Sequence, residues 1–365
     1  NIFGPIGVEV RAPAWMNTAV TVGSLSLPTT RILIIGLCAL LLGGLALLLA
    51  LGSAAPASAV PLAEHPPLQA LIDTLVSQDG FARADVERLL AGTQFHQSII
   101  DAITRPAEKM PWYRYRPIFM TQQRIDGGVA FWNEHAALLA RAEREHGVPA
   151  SIITAIIGVE TRYGAVTGRY RALDALTSLT VAGLPRSAFF GRELRELLLL
   201  GREERLDLTG LNGSYAGALG LPQFIPSSYR AYAVDFDQDG RRDLFGSPAD
   251  AIGSVANYLR RHGWEAGQPI TAAAPATPAA ASLGGTDPAL KYTVSELVAG
   301  GVSAPGATPG TRKAALIRLE TEQGDEYHLG FQNFYAITRY NHSALYAMAV
   351  TQLAAAIGAQ HPASP

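Results

Sequence analysis

PASIITAIIGVETRY, residues 149–163, decides how the rest of the chain is read. Ile152, Ile153, Ala155, Ile156, Ile157 and Val159 make the stretch apolar on nearly every side, as in a helix buried all round. Proline is tolerated in a first helical turn, so the helix is expected to begin at Pro149, and Gly164 is placed to end it. Its last turn carries one acid, Glu160. There the carboxylate meets the negative end of the helix dipole and apolar neighbours, and both oppose ionisation. A carboxyl with a raised pKa suits general acid chemistry near neutral pH. The alternative is a structural ion pair with an arginine; Arg162, two residues on, does not share a face with Glu160.

The chain has 365 residues, enough for two or three domains. A net charge of -2 leaves no basic face for nucleic acid. The one cysteine, Cys38, lies in an apolar N-terminal run, so no disulfide framework is expected. The histidines form no close pair and no HExxH, which argues against zinc.

Toward the N-terminus, residues 32–51 are an uncharged apolar run preceded by Arg31, and the small-residue stretch after it ends Ala57-Ser58-Ala59. This reads as a secretory signal peptide cleaved after Ala59. The run is also long enough to span a bilayer, so an uncleaved anchor is the alternative. Either way the body of the protein lies outside the cytoplasm. Residues 66–104 show helical spacing. Residues 105–117, RPAEKMPWYRYRP, break it with three prolines and interleave aromatics with basic residues, either to bind sugars or to staple a surface. Residues 128–147 resume as one helix ending at Gly147.

C-terminal to the central helix, residues 173–179 and 191–204 read as helices. Residues 212–229, NGSYAGALGLPQFIPSSY, combine glycines with neutral hydrogen-bonding side chains. They form either a loop that meets an uncharged, hydroxyl-rich ligand or an ordinary connector. Residues 235–250, DFDQDGRRDLFGSPAD, follow a calcium-loop pattern. Asp235, Asp237, Asp239 and Asp243 stand at loop positions 1, 3, 5 and 9, with Gly240 at position 6 and Arg241 at position 7. Gly246 replaces the usual glutamate at position 12. Asp250 is either a displaced ligand or the third residue of a helix capped by Ser247 with Pro248 first. The expected ligand set is Asp235, Asp237, Asp239, Arg241, Asp243 and Asp250; the alternative is an Asp-rich turn. Residues 268–288 read as a linker or long surface loop, 292–300 as a short helix, 314–331 as a β-hairpin and 334–357 as one final helix.

Five ordered motifs together resemble the lytic murein transglycosylase B family: Glu160-Thr161-Arg162-Tyr163-Gly164; Ser214-Tyr215-Ala216-Gly217-Ala218 running into Pro222-Gln223-Phe224-Ile225-Pro226; the acidic loop; Ala251-Ile252-Gly253-Ser254-Val255; and Thr338-Arg339-Tyr340-Asn341. The resemblance runs from about residue 105 to 357. It implies a mainly α fold, a lysozyme-like α+β core with an N-terminal helical region and a small β-containing insertion. The corresponding segments are 1–59 (extension and signal peptide or anchor), 60–148 (N-terminal helices), 149–266 (catalytic core with the calcium loop), 267–332 (linker and insertion) and 333–365 (a helix completing the core). It also implies cleavage of the β-1,4 bond between N-acetylmuramic acid and N-acetylglucosamine in peptidoglycan, in the periplasm. Glu160 matches the family's acid/base, and Ser214, Gln223, Tyr258, Tyr340 and Asn341 match positions lining its glycan cleft. Glycosidases usually use two carboxylates. With one, the substrate must supply the nucleophile, and a non-hydrolytic 1,6-anhydromuramoyl product is what the resemblance implies. The rivals are a hydrolytic muramidase on the same fold and a non-catalytic, calcium-stabilised glycan-binding protein. Two departures stand out: Ser247 lengthens the acidic loop, and no lipid-attachment motif is present.

Overall fold

The computed structural model describes residues 58–104 and 110–361. The apolar run at 32–51 lies outside the described residues, as do residues 105–109. Among the described residues no helix is long and apolar enough to cross a membrane. Strand β1 (Ser58–Ala59) pairs antiparallel with β2 (Gln94–Phe95), and between and after them come helices α1 (Pro66–Ser77), α2 (Arg83–Ala91) and α3 (Gln97–Thr104). The last two residues expected in the signal peptide are thus strand residues. Two contacts fasten this region to helices further along the chain: Asp79 takes both arms of Arg195 at 2.7 Å, and Asp174 accepts from the Gln94 N–H at 2.8 Å.

Helix α4 (Trp112–Phe119) occupies the stretch read as helix-breaking, with Pro117 inside it. Its own residues supply what the prolines obscured: Pro111 is the N-cap, and Trp112, Tyr115 and Phe119 stack along one side. The single helix expected over 128–147 is two, α5 (Gln122–Glu134) and α6 (Ala136–His146), broken at His135. Gly147 does end the second, in the left-handed conformation (φ 72°).

Helix α7 (Ala150–Thr161) is the central one, and Pro149 caps it rather than starting it. The Ala150 N–H, unpaired inside the helix, donates to Glu143 at 3.1 Å. Ile153, Ile156 and Ile157 are fully buried, each contributing about 1.5–3 kcal/mol by leaving water. Helices α5, α6, α11 and α14 surround it. The helix stops before Gly164, because Arg162 (φ 51°) and Tyr163 (φ 59°) already adopt left-handed geometry.

After α7 come β3 (Tyr170–Arg171), α8 (Ala172–Val181), α9 (Ser187–Glu203) and β4 (Asn212–Gly213), which pairs with β3. Helices α10 (Pro226–Tyr232) and α11 (Pro248–Arg261) flank the acidic loop. The supposed linker contains β5 (Thr271–Ala273), an edge strand of a four-stranded antiparallel sheet ordered β5-β8-β7-β6. In chain order the rest are β6 (Tyr292–Thr293), α12 (Val294–Ala299), β7 (Lys313–Thr321) and β8 (Gly324–Gly330). The β7–β8 hairpin expected from alternation is present, Thr321 pairing with Gly324 across Glu322 and Gln323. Alternate residues of β7 serve two cores: Ala315, Ile317 and Leu319 join the main one, while Ala314 and Leu316 join a small core beneath α12. The final helix is also interrupted. It is α13 (Gln332–Thr338) and α14 (Ala344–Gln360), with residues 339–343 between them.

Candidate active site

Glu160 lies half-buried on the last turn of α7, at the floor of a cleft. Ser214 and Gln223 of the loop before α10, Tyr258 of α11, and Tyr340 and Asn341 of the α13–α14 break all line the same cleft, as do Phe224 and Ser228. The structure therefore brings together the six residues singled out in sequence. Glu160 is the only carboxylate among the described lining residues. Burial pushes its pKa up to about 7, opposed by a hydrogen bond that Tyr346 donates to its Oε1 at 2.6 Å. No arginine or lysine is paired with it among the described residues, so the structural ion-pair alternative does not apply.

The loop is shaped by its own backbone. Ser214 Oγ accepts from the Ala216 and Ala218 N–H groups at 3.2 and 3.0 Å, which leaves its hydroxyl proton for a ligand. Gly217 (φ 78°) must be glycine, since a Cβ there would stand 2.5 Å from Leu176. Gln223 (φ 51°) gives its amide N–H groups to Thr167 O and Gly220 O, at 3.0 and 2.9 Å. Its carbonyl oxygen is then the atom suited to a ligand donor.

The tyrosines contribute rings more than hydroxyls. Tyr258 donates to Arg339 O at 2.5 Å and Tyr340 to Pro222 O at 2.7 Å, ties that hold the helix break against the loop and α11. Tyr258 and Tyr340 meet edge to face at 4.8 Å, with Phe224 within 5.7 Å of both. Burial raises both tyrosine pKa values, so both stay neutral. Asn341 Oδ1 is buried without a hydrogen-bond partner among the described residues. Sequence reasoning missed Tyr346. It lies in the first turn of α14, and nothing in its local sequence sets it apart from the neighbouring tyrosines.

Among the described residues none from the acidic loop lines this cleft. Carboxylate oxygens of Asp235, Asp237 and Asp250 lie within 4.8 Å of one another. Asp250 follows the helix-cap reading and also faces the acidic cluster. It is the third residue of α11, its N–H donating to Ser247 Oγ at 3.2 Å, and its buried carboxylate accepts from Phe236 N–H at 2.6 Å and Asp243 N–H at 2.7 Å. Asp239 and Asp243 do not join the cluster. Asp239 accepts from the Arg241 N–H at 2.9 Å, and Asp243 accepts from the Phe245 and Gly246 N–H groups at 2.8 and 2.9 Å. Three converging carboxylates, with no lysine or arginine paired to them among the described residues, fit a hard, oxygen-liganded divalent cation.

A mostly helical, lysozyme-like fold with one raised-pKa acid beneath an aromatic, neutral hydrogen-bonding cleft defines an enzyme that breaks glycan chains. The model of the transglycosylase SLT domain matches residues 63–355, and the chain belongs to that family, whose named members here are lytic murein transglycosylases, carbon–oxygen lyases. It is 41% identical over 311 residues to the membrane-bound lytic murein transglycosylase B of Escherichia coli (strain K12), covering 81% of this chain and 83% of that protein. The soluble lytic transglycosylase SltB1 of Pseudomonas aeruginosa has a similar structure, with TM-score 0.77 and 48% identity over 82% of this chain and all of that one (100%). The Escherichia coli lytic transglycosylase SLT35, solved in complex with calcium, aligns with TM-score 0.76 and 40% identity over 84% of this chain and 96% of that one.

Proposed function

We propose that this enzyme cleaves the β-1,4 bond between N-acetylmuramic acid and N-acetylglucosamine of peptidoglycan strands without water, with Glu160 as acid and then base. One observation carries the reading: Glu160 is the single carboxyl among the described residues lining the cleft, and its pKa of about 7 keeps much of it protonated at neutral pH. Protonated Glu160 gives its proton to the glycosidic oxygen, and the bond to the anomeric carbon breaks. With no second carboxylate, the acetamido oxygen of the muramic acid captures that carbon. Glu160, now ionised and held by Tyr346, takes the proton from the same sugar's carbon-6 hydroxyl, which attacks the anomeric carbon. The acetamido group is released, the 1,6-anhydro ring closes and Glu160 is protonated again. The attacking hydroxyl is intramolecular, which favours it over water.

Ser214, Gln223 and Asn341 supply neutral hydrogen bonds, Asn341 Oδ1 being suited to an acetamido N–H, while Tyr258, Tyr340 and Phe224 supply an apolar wall. Calcium is proposed at Asp235, Asp237 and Asp250, with Asp239, Arg241 and Asp243 shaping the loop. When bound, it would cancel carboxylate repulsion and tie the loop to α11, a structural task, since no loop residue is among the described residues lining the cleft. Peptidoglycan strands are the proposed partner, and the periplasm the place of action, reached by a signal peptide or from a membrane anchor in residues 32–51.

Digestion of purified peptidoglycan followed by mass analysis tests the reaction. Muropeptides ending in anhydromuramic acid, one water lighter than muramidase products, are expected. Products with a free reducing end would establish the hydrolytic rival, and binding without products the glycan-binding one.

A further inference from the structure

We infer that Arg124 is a positioning residue for Glu160, gripping the last turn of α7 on both sides of the acid. This rests on the reading of Glu160 as the catalytic acid.

Arg124 stands on α5 and is only 8% exposed. No carboxylate pairs with it among the described residues. Burial lowers its pKa, and nearby Arg162 lowers it further, so neither offsets the cost of burying its charge. Two of its three guanidinium nitrogens turn to the backbone instead, and Nε is buried without a partner among the described residues. Nη1 donates to Gly158 O, a carbonyl of the last turn of α7 that also accepts the Arg162 N–H at 3.1 Å. Nη2 reaches Ile118 O at 3.5 Å, and the group lies over the Phe119 ring at 5.3 Å. A cation facing helix C-terminal carbonyls is favourably placed.

The same residue holds the far side of the acid. Its backbone carbonyl accepts the Tyr163 hydroxyl at 2.8 Å. The Tyr163 ring fills a slot floored by glycines: a Cβ on Gly158 would stand 2.4 Å from its hydroxyl oxygen, one on Gly128 2.7 Å from it, and one on Gly127 2.9 Å from the ring. Arg162 and Tyr163 are left-handed, a conformation that L side chains keep only when the surroundings impose it. Glu160 lies between Gly158 and Tyr163, the two gripped points. Among the described residues its carboxylate has Tyr346 as hydrogen-bond partner, so its aim follows the direction of that last turn. Neither the guanidinium nor the Tyr163 hydroxyl lines the cleft, which separates this role from substrate contact.

The test uses the full chain and a soluble muropeptide tetrasaccharide as substrate, well below the melting temperature. Arg124→Met should lower kcat roughly 100-fold with KM little changed, the scale expected when a catalytic group is misplaced by about 1 Å. Arg124→Lys should recover part of the loss, and Tyr163→Phe should lower kcat about 10-fold as an order-of-magnitude expectation for one lost hydrogen bond. A folded Arg124→Met protein with wild-type kcat, whatever its melting temperature, would overturn the inference, as would a loss confined to KM. If that variant does not fold, wild-type kcat in both Arg124→Lys and Tyr163→Phe overturns it. Glu160→Gln is measured alongside: activity in that variant would refute the acid assignment itself, whereas an inactive Glu160→Gln with unaffected Arg124 variants refutes only the positioning role.

Discussion

Glu160→Gln should stabilise the protein while disabling it, and only above a definable pH. In the folded enzyme the carboxyl has a pKa of about 7, against an ordinary value of 4.5 once unfolding returns it to water. Between those two pH values the folded chain keeps a proton that the unfolded chain has released. Stability therefore falls as pH rises through that window. The gap of about 2.5 pH units, at 1.36 kcal/mol per unit, costs the wild type about 3 kcal/mol at pH 8 and nothing near pH 4. Glutamine is nearly isosteric, does not titrate, and its carbonyl can still accept from Tyr346. Denaturant unfolding of both proteins, with calcium held constant, should show the variant more stable by up to about 3 kcal/mol at pH 8 and equal to wild type at pH 4. Turnover should meanwhile fall by roughly 100- to 10,000-fold. A stability difference that is the same at both pH values, or a wild type more stable at pH 8, would refute the claim that burial strains this carboxylate.

Tyr346→Phe removes the donor that favours ionised Glu160, so the pKa should rise above about 7 and the alkaline limb of the kcat/KM profile should move up by about 1 pH unit. An unmoved limb would count against the contact. Calcium at about 100 times its Kd should stabilise the wild type by roughly 2.7 kcal/mol in a thermal melt, and Asp235→Asn with Asp237→Asn should erase the effect. A wild-type melt that ignores saturating calcium would reduce the loop to an acidic turn. Gly158→Ala puts a Cβ 2.4 Å from Tyr163 Oη and should destabilise by about 1–3 kcal/mol, read by denaturant midpoint; a neutral effect would mean the Tyr163 slot is not tight.

Local features were legible before any coordinates. An acid on an otherwise apolar helix marked Glu160, Gly147 marked the end of α6, alternation marked the β7–β8 hairpin, and acids spaced by two marked the acidic loop. Each depends on neighbours within a few residues, so composition and period suffice. The helix break at residues 339–343 was not legible. Nothing in TRYNH forbids a helix, and the chain turns there because Tyr258 and Tyr340 hydroxyls bind backbone carbonyls from other elements. Pro117 misled in the opposite sense, marking a break where α4 in fact continues.

By itself the sequence determined that one acid, Glu160, would close a buried apolar helix, and that a hairpin and an acidic loop would follow it. Tertiary structure alone decided what surrounds that residue. Tyr346 reaches Glu160 from 186 positions away, Arg124 reaches Gly158 from 34, and Asp250 rather than Asp239 or Asp243 joins the acidic cluster. A pKa, a rotamer and a coordination shell are set by the atoms within a few ångströms, and in a folded chain most of those atoms come from distant sequence.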